Sequence, residues 1–369
     1  MKNKIIDVIT KIGEDMYNSL AAGAVYEITT PSRSVKNLVF DEASGTYILG
    51  DKTTRRSIKK VSELKTILRM AMVLRYIRDE LISKNDIATL RELYYLFKNV
   101  DVGGIEIGFG DQGESNLLVE DIEWIMRKHI PGVTREVFHI VPEDSGAACF
   151  GPLKMYDPVE KATIDYSTTS DGVSIPLDPY RPTIKSCEAR FILAIETAGM
   201  YKRVALAVKS GKAKELAELK PLLISTKGMP SRAVRLFMKR LNAELGLPIL
   251  LFTDYDFGGA RIYIVCRYGA AKTAYLELAN EKIIWVNRMS DIEEYKLPSE
   301  PMSEKRLNDL KKLLNDPRVK NTQAGEEIRK LIEIRREAEQ QAFAASKDLY
   351  YVTNKFLPRR LKELLGAMQ

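Results

Sequence analysis

Hydrophobic and polar positions change their period several times along the chain. Residues 1–20 (MKNKIIDVITKIGEDMYNSL) space their apolar side chains three and four apart, which predicts an amphipathic helix. Asp7, Lys11 and Glu14 interrupt the apolar positions, so this start does not read as a secretory leader. Residues 24–61 alternate short apolar runs (AVYEITT, NLVF, GTYILG) with turns, the pattern of strands, and end in the basic stretch TTRRSIKK. Helical spacing returns over 62–84 and breaks at Lys84-Asn85-Asp86. It resumes in ATLRELYYLFKNV and LLVEDIEWIMRKHI, ahead of two short strands, REVFHIV and GPLKMY. Helices so placed before short strands suit a winged-helix module.

Residues 157–187 are rich in Asp, Ser, Thr and Pro and read as a linker or irregular crossing segment. Beyond them four apolar runs, ARFILAIE, AELKPLLIS, LPILLFTDYD and KIIWVN, alternate with helical patterns such as PSRAVRLFMKRLNAELG and GGARIYIVCRYGA. That alternation predicts a parallel α/β sheet. Residues 303–346 read as two charged amphipathic helices. The expected division is an N-terminal extension (1–61), a winged-helix domain (62–156), a linker (157–186) and an α/β domain with C-terminal helices (187–369).

Composition narrows the field. The chain has 369 residues, 45% of them apolar and 29% charged, enough for about two cores. Lys and Arg outnumber Asp and Glu by 57 to 50, a net charge of +7 that permits a polyanionic partner without requiring one. Cys149, Cys187 and Cys266 are far apart, so a disulfide framework or zinc site is not expected and a reducing cytoplasm fits. No apolar run is long enough for a membrane helix.

Two constellations could carry chemistry. Glu196 closes one predicted strand, and Asp254 and Asp256 close another. Sites in open α/β sheets form just outside such strand ends. Residues two apart share a face, so Asp254 and Asp256 can aim at one point. Clustered carboxylates suit a hard cation, most naturally Mg²⁺. An Asx-capped turn explains DYDFGG alone equally well. The second constellation is Arg91 and Tyr95, one helical turn apart. A tyrosine can serve as a covalent nucleophile, and a guanidinium beside it can hold a phosphate. An ordinary core aromatic would give the same pattern. Gly108–Gly113 fits GxGxxG but does not open a helix straight after a strand, and Ser210-Gly211-Lys212 lacks the earlier glycine of a P-loop. No ATP signature is found.

At these residues the sequence resembles the family of topoisomerase VI A subunits and the meiotic double-strand-break transesterases. TLRELYYLF resembles the family's nucleophile helix and FGDQGESNLLVEDIE the segment after it. GVSIPLDPYRPTIKSCEARFILAIE is similar to the approach to its metal-binding Glu. LLISTKGMPSRAVRLFMKRLNAELGLPILLFTDYDFGG is similar to its most characteristic stretch. WVNRMSDIEEYKLP and FLPRRLKELL resemble its C-terminal blocks. The resemblance spans about residues 85–365. Tyr255 and Phe257 stand where the family usually has Gly and Pro. Thr197-Ala198-Gly199 follow Glu196 where it usually has a Lys and an acid. These departures would mark a divergent branch.

The resemblance implies a winged-helix domain like that of the catabolite activator protein, followed by a Toprim domain. It implies Tyr95 as nucleophile, Arg91 as phosphate partner, and Glu196, Asp254 and Asp256 as Mg²⁺ ligands. The implied reaction is a double-strand break through a 5′-phosphotyrosyl link, each Tyr95 meeting the other protomer's metal site in a homodimer. A second duplex would pass with an ATPase B subunit, in an A2B2 heterotetramer where ATP binds only the partner. Lys227, Arg232, Arg235, Lys239 and Arg240, with Arg55, Arg56, Lys59 and Lys60, are the expected basic DNA contacts. An archaeal, nucleoid-associated protein with no membrane partner is expected. A transesterase without strand passage, a Toprim metal nuclease and an inactive DNA-binding scaffold remain alternatives.

Overall fold

A computed structural model describes residues 2–143, 146–270, 283–346 and 348–367. They form two compact units. One takes in residues 2–39 and 47–143, the other 40–46 and the described residues from 146 onward.

The first unit is mainly helical. The amphipathic helix Lys2–Ala21 buries Ile5 and Ile9 against Met70, Val73, Leu74 and Ile77. The helix Val61–Tyr76 runs into a π-helical turn, Ile77–Ile82, and the break at Asn85 is a left-handed residue (φ +58°). The next helix is shorter than its periodicity predicts, Leu90–Leu96 instead of 88–100. Thr89 and Glu92 close a capping box that fixes its start. At its other end the Phe97 carbonyl accepts the Phe109 N–H at 3.0 Å, which turns the chain away. The GxGxxG stretch is a helix start as well. Asp111 accepts the Glu114 N–H at 2.9 Å and caps Gln112–Arg127. A Cβ at Gly108 would sit 1.9 Å from the Lys98 carbonyl oxygen, so this glycine permits close backbone approach. The expected strand REVFHIV is a 3₁₀ turn, Arg135–Phe138, with only Ile140–Val141 extended, paired parallel to Ala88–Thr89.

The second unit holds a six-stranded sheet in the order Val173–Ser174, Ala148–Phe150, Pro221–Ser225, Phe191–Ile195, Ile249–Phe252, Ile283–Trp285. The last four are mutually parallel and the first two pair antiparallel. Phe191–Ile195, Pro221–Ser225 and Ile249–Phe252 are buried throughout, as expected of strands covered on both faces. All four apolar runs read as strands in the sequence are strands of this sheet. The stretch read as a linker instead carries Ala162–Asp165, Val173–Ser174 and Thr183–Cys187. Its acids make turns: Asp157 accepts the Val159 N–H and pairs with Arg181, Asp165 accepts Ser167, and Asp178 accepts Tyr180. GPLKMY lies in this unit too, Leu153–Asp157 pairing with Ala162–Asp165 and Thr183–Cys187. The charged C-terminal helices are Glu304–Leu314 and Gln323–Ile334, with a four-residue turn between. The second ends at left-handed Arg335, so the helical reading to 346 overruns.

Candidate active site

Strand order places the carboxylates. Phe191–Ile195 lies between Pro221–Ser225 and Ile249–Phe252, so the chain leaves it on one side and returns on the other. That reversal is a topological switch point, where an open α/β sheet leaves a crevice. The register aligns Ile195 with both Ser225 and Phe252. Glu196 therefore emerges level with Thr253, and the Asp254 N–H donates to its Oε2 at 2.8 Å. Asp254 Oδ1 accepts the Gln340 N–H at 2.8 Å. Asp256 Oδ1 accepts the Gly259 N–H at 2.7 Å and caps Phe257–Tyr268. Its Oδ2 lies 3.4 Å from Arg306 Nη1, which also donates to Glu337 at 2.7 Å. A Cβ at Gly259 would sit 2.1 Å from the Asp254 carbonyl oxygen, so the tight turn between acids and helix requires glycine.

Tyr255 alternates away from its acidic neighbours. Its ring is fully buried, and its hydroxyl donates to Asp291 at 3.0 Å. Arg360 pairs with the same carboxylate at 2.7 Å. The Tyr255 backbone exchanges hydrogen bonds with Ala338 in both directions, at 2.8 and 3.2 Å. The larger side chain in the loop is thus accommodated behind it, in the core.

Asp254 and Asp256 line an open cleft of about 600 Å³ together with Glu300, Glu337, Glu339 and Arg306. Burial, assisted by the charges of Asp254 and Asp256, pushes Glu196 up to about 7. Burial pushes Asp254 up to about 6, helped by Asp256 and Glu339 and opposed by the Gln340 N–H. The expected three-carboxylate cluster is not gathered into a coordination shell. Among the described residues no three His, Cys, Asp or Glu side chains converge so closely. The reason is local, since each of these acids is turned toward a backbone N–H. The donor chemistry still fits a hard divalent ion: oxygen ligands only, and mutually repelling acids that added positive charge would relieve. The crossing segment 337–340, which supplies Glu337, Glu339 and Gln340, escaped sequence reasoning. Its only signal there is an acidic stretch beyond a helix.

Tyr95 stands in the first unit on Leu90–Leu96 and is 58% exposed. The Arg91 guanidinium lies 6.0 Å from its ring centroid and Lys98 Nζ 5.9 Å, so two cations flank the ring. Tyr94 is half-buried beneath it, ring centroids 5.1 Å apart, and packs on the core. Lys98 was not singled out from sequence, although it lies three residues from Tyr95 on a helical pattern.

The basic residues divide by their partners. Arg55 pairs with Glu27, Arg56 with Asp121 at 3.0 Å, and Lys60 with Glu63 at 3.0 Å. Arg240 pairs with Glu244 and donates to the carbonyls of Pro179 and Pro182, each at 2.6 Å. Arg235 is only 8% exposed, and its charge acts on the buried Cys266 thiol. It lies on the same side of the helix Arg232–Leu245 as Arg232 and Lys239, but its burial keeps it out of any open basic face. Those two are half-buried, while Lys59 and Lys227 are exposed.

Residues 191–361 match the Toprim-domain family of topoisomerase 6 A subunits and Spo11, and residues 65–140 match the type IIB DNA topoisomerase family. The A subunit of type 2 DNA topoisomerase 6 from Natronomonas pharaonis is 35% identical, over 96% of this chain and 95% of its own. The protein of the same name from Haloarcula marismortui is 36% identical, over 96% and 94%. That of Archaeoglobus fulgidus is 33% identical, over 99% and 98%. Similarity of this extent across nearly the whole length places the chain in the family of type IIB DNA topoisomerase 6 A subunits, built on a Toprim domain.

Proposed function

We propose that this chain makes and reseals double-strand breaks in DNA through Tyr95, with Mg²⁺ held at Glu196, Asp254 and Asp256. The observation that carries the reading is the placement of Glu196 and Asp254 side by side at the switch point of a Toprim sheet. Tyr95 Oη attacks a backbone phosphorus and gives up its proton to solvent. The P–O3′ bond breaks, the 3′-oxygen takes a proton, and a 5′-phosphotyrosyl link stores the bond for resealing. Arg91 and Lys98 orient the phosphate and favour a developing phenolate. A bound Mg²⁺ supplies Lewis-acid neutralisation of phosphate charge. Glu196, Asp254 and Asp256 would hold it, and the Arg306 beside Asp256 would leave that carboxylate when it does.

The module beginning near residue 62 acts as a winged helix on DNA, supported by its three helices and short parallel strand pair. Lys227, Arg232 and Lys239 contribute DNA contacts in the second unit. Arg235 is too buried to join them, so affinity should depend on the former residues and fall steeply with salt. A homodimer cuts both strands, its two-fold symmetry matching the antiparallel duplex. A B-type ATPase partner completes an A2B2 assembly for strand passage and supplies the ATP site. The protein works in the cytoplasm on the nucleoid. Among the described residues no helix is long and apolar enough to cross a membrane.

The test is a plasmid cleavage assay with Mg²⁺ and an ATPase partner, quenched with detergent and split for protease treatment. Linear DNA carrying covalently bound protein, absent in Tyr95→Phe, is expected. Protein-free cuts that persist in Tyr95→Phe would establish a hydrolytic nuclease instead.

A further inference from the structure

We propose that Gln340 is a positioning residue that fixes the spacing of Glu196 and Asp254 by binding both strand ends at once. Its backbone N–H donates to Asp254 Oδ1 at 2.8 Å. Its side-chain Oε1 accepts from Thr197 twice, from the N–H at 3.3 Å and from the hydroxyl at 2.9 Å. Thr197 directly follows Glu196 and caps the helix Ala198–Lys209. One residue therefore joins the strand that ends at Ile195 to the loop after Phe252. Gln340 is fully buried, so these bonds are shielded from water and hold their geometry. Two residues earlier, the two-way pairing of Ala338 with Tyr255 sets the height at which the segment crosses.

Packing alone does not account for a glutamine here. Among the described residues its buried Nε2 finds no hydrogen-bond partner. A leucine or methionine would fill similar space and leave no donor unpaired. What the amide offers beyond volume is its oxygen, aimed at the residue beside Glu196. The consequence is pre-organisation. With Gln340 in place, Glu196 and Asp254 are held at one separation before an ion arrives. Without it each strand end relaxes independently, and ion binding must reassemble them. Partners that orient ligands in this way typically control affinity by about 10–100-fold.

The inference rests on the Mg²⁺ reading above, and the experiment separates the two. Mn²⁺ binding to the full chain is titrated by electron paramagnetic resonance, alongside thermal melting without metal. Gln340→Met keeps the volume and removes the acceptor. It should weaken Mn²⁺ binding about tenfold. Thr197→Val removes one donor and should shift binding in the same direction, while Thr197→Ser, which keeps the hydroxyl, should restore it. This pair also decides the matter if Gln340→Met fails to fold. Asp254→Ala should abolish the site. Wild-type affinity in Gln340→Met, with Asp254→Ala impaired, would overturn the role of Gln340 alone. Wild-type affinity in both would overturn the cation site and this inference together.

Discussion

Replacing Glu196 by Gln should stabilise the metal-free protein at alkaline pH while abolishing cleavage. Burial moves Glu196 from its ordinary 4.5 to about 7, a difference worth about 3 kcal/mol between its neutral and charged forms. The sign follows from proton uptake. Below pH 4.5 the group is protonated whether folded or unfolded and contributes nothing. Between 4.5 and 7 the unfolded chain ionises while the folded one keeps its proton, so stability falls as pH rises. Above 7 both are ionised and the full penalty of up to about 3 kcal/mol remains. Glutamine removes the charge, and its carbonyl oxygen can still accept the Asp254 N–H that Glu196 accepts. For a unit of this size each kcal/mol moves the midpoint by roughly 2–4 °C, so the variant should melt up to about 6–12 °C higher at pH 8. At pH 4.5 the two should converge. The assay is thermal denaturation followed by circular dichroism, in chelator, from pH 4.5 to 8.5. Mg²⁺ should then raise the wild-type midpoint and leave the variant where it is. A variant melting at or below wild type at pH 8 would refute the claim that Glu196 is a strained, buried charge.

Two further variants test how the site and the first unit are held. Tyr255→Phe removes the hydroxyl donated to Asp291 and should cost about 1–3 kcal/mol in urea unfolding, with wild-type stability counting against the anchor described here. Asp121 is buried between Arg33 and Arg56, both within 3.1 Å. Asp121→Asn should destabilise the first unit by about 2–3 kcal/mol, below the usual cost of breaking a buried pair because both arginines keep some water contact. A change under about 0.5 kcal/mol in its thermal or urea midpoint would show that the network is dispensable.

The sheet could be read from sequence because its four parallel strands are doubly buried. Such strands are continuous apolar runs that alternate with amphipathic helices, and the carboxylates at two strand ends stand out against them. The stretch 157–186 misled because Asp, Ser and Pro serve tight turns as well as linkers, and only pairing partners distinguish the two. Arg55, Arg56 and Arg240 read as a basic surface because charge is visible in sequence and its partners are not. Glu27, Asp121 and the proline carbonyls are distant in the chain. Gln340 was invisible for the same reason, its contacts to Asp254 and Thr197 spanning 86 and 143 residues.

Those spans have a consequence for how the protein is made. The acids and the strands that bear them are synthesised well before the segment that holds them in register. Closing so long a loop adds little entropic cost beyond that of a shorter one, but the closing residues must exist first. Tyr255 likewise waits for Arg360, which completes the charge pair around its Asp291 anchor. A nascent chain ending before residue 340 thus carries Glu196 and Asp254 without the clasp proposed to set their spacing. On that proposal the paired acids gain a fixed separation only after residue 340 has been translated and has folded back onto both strand ends.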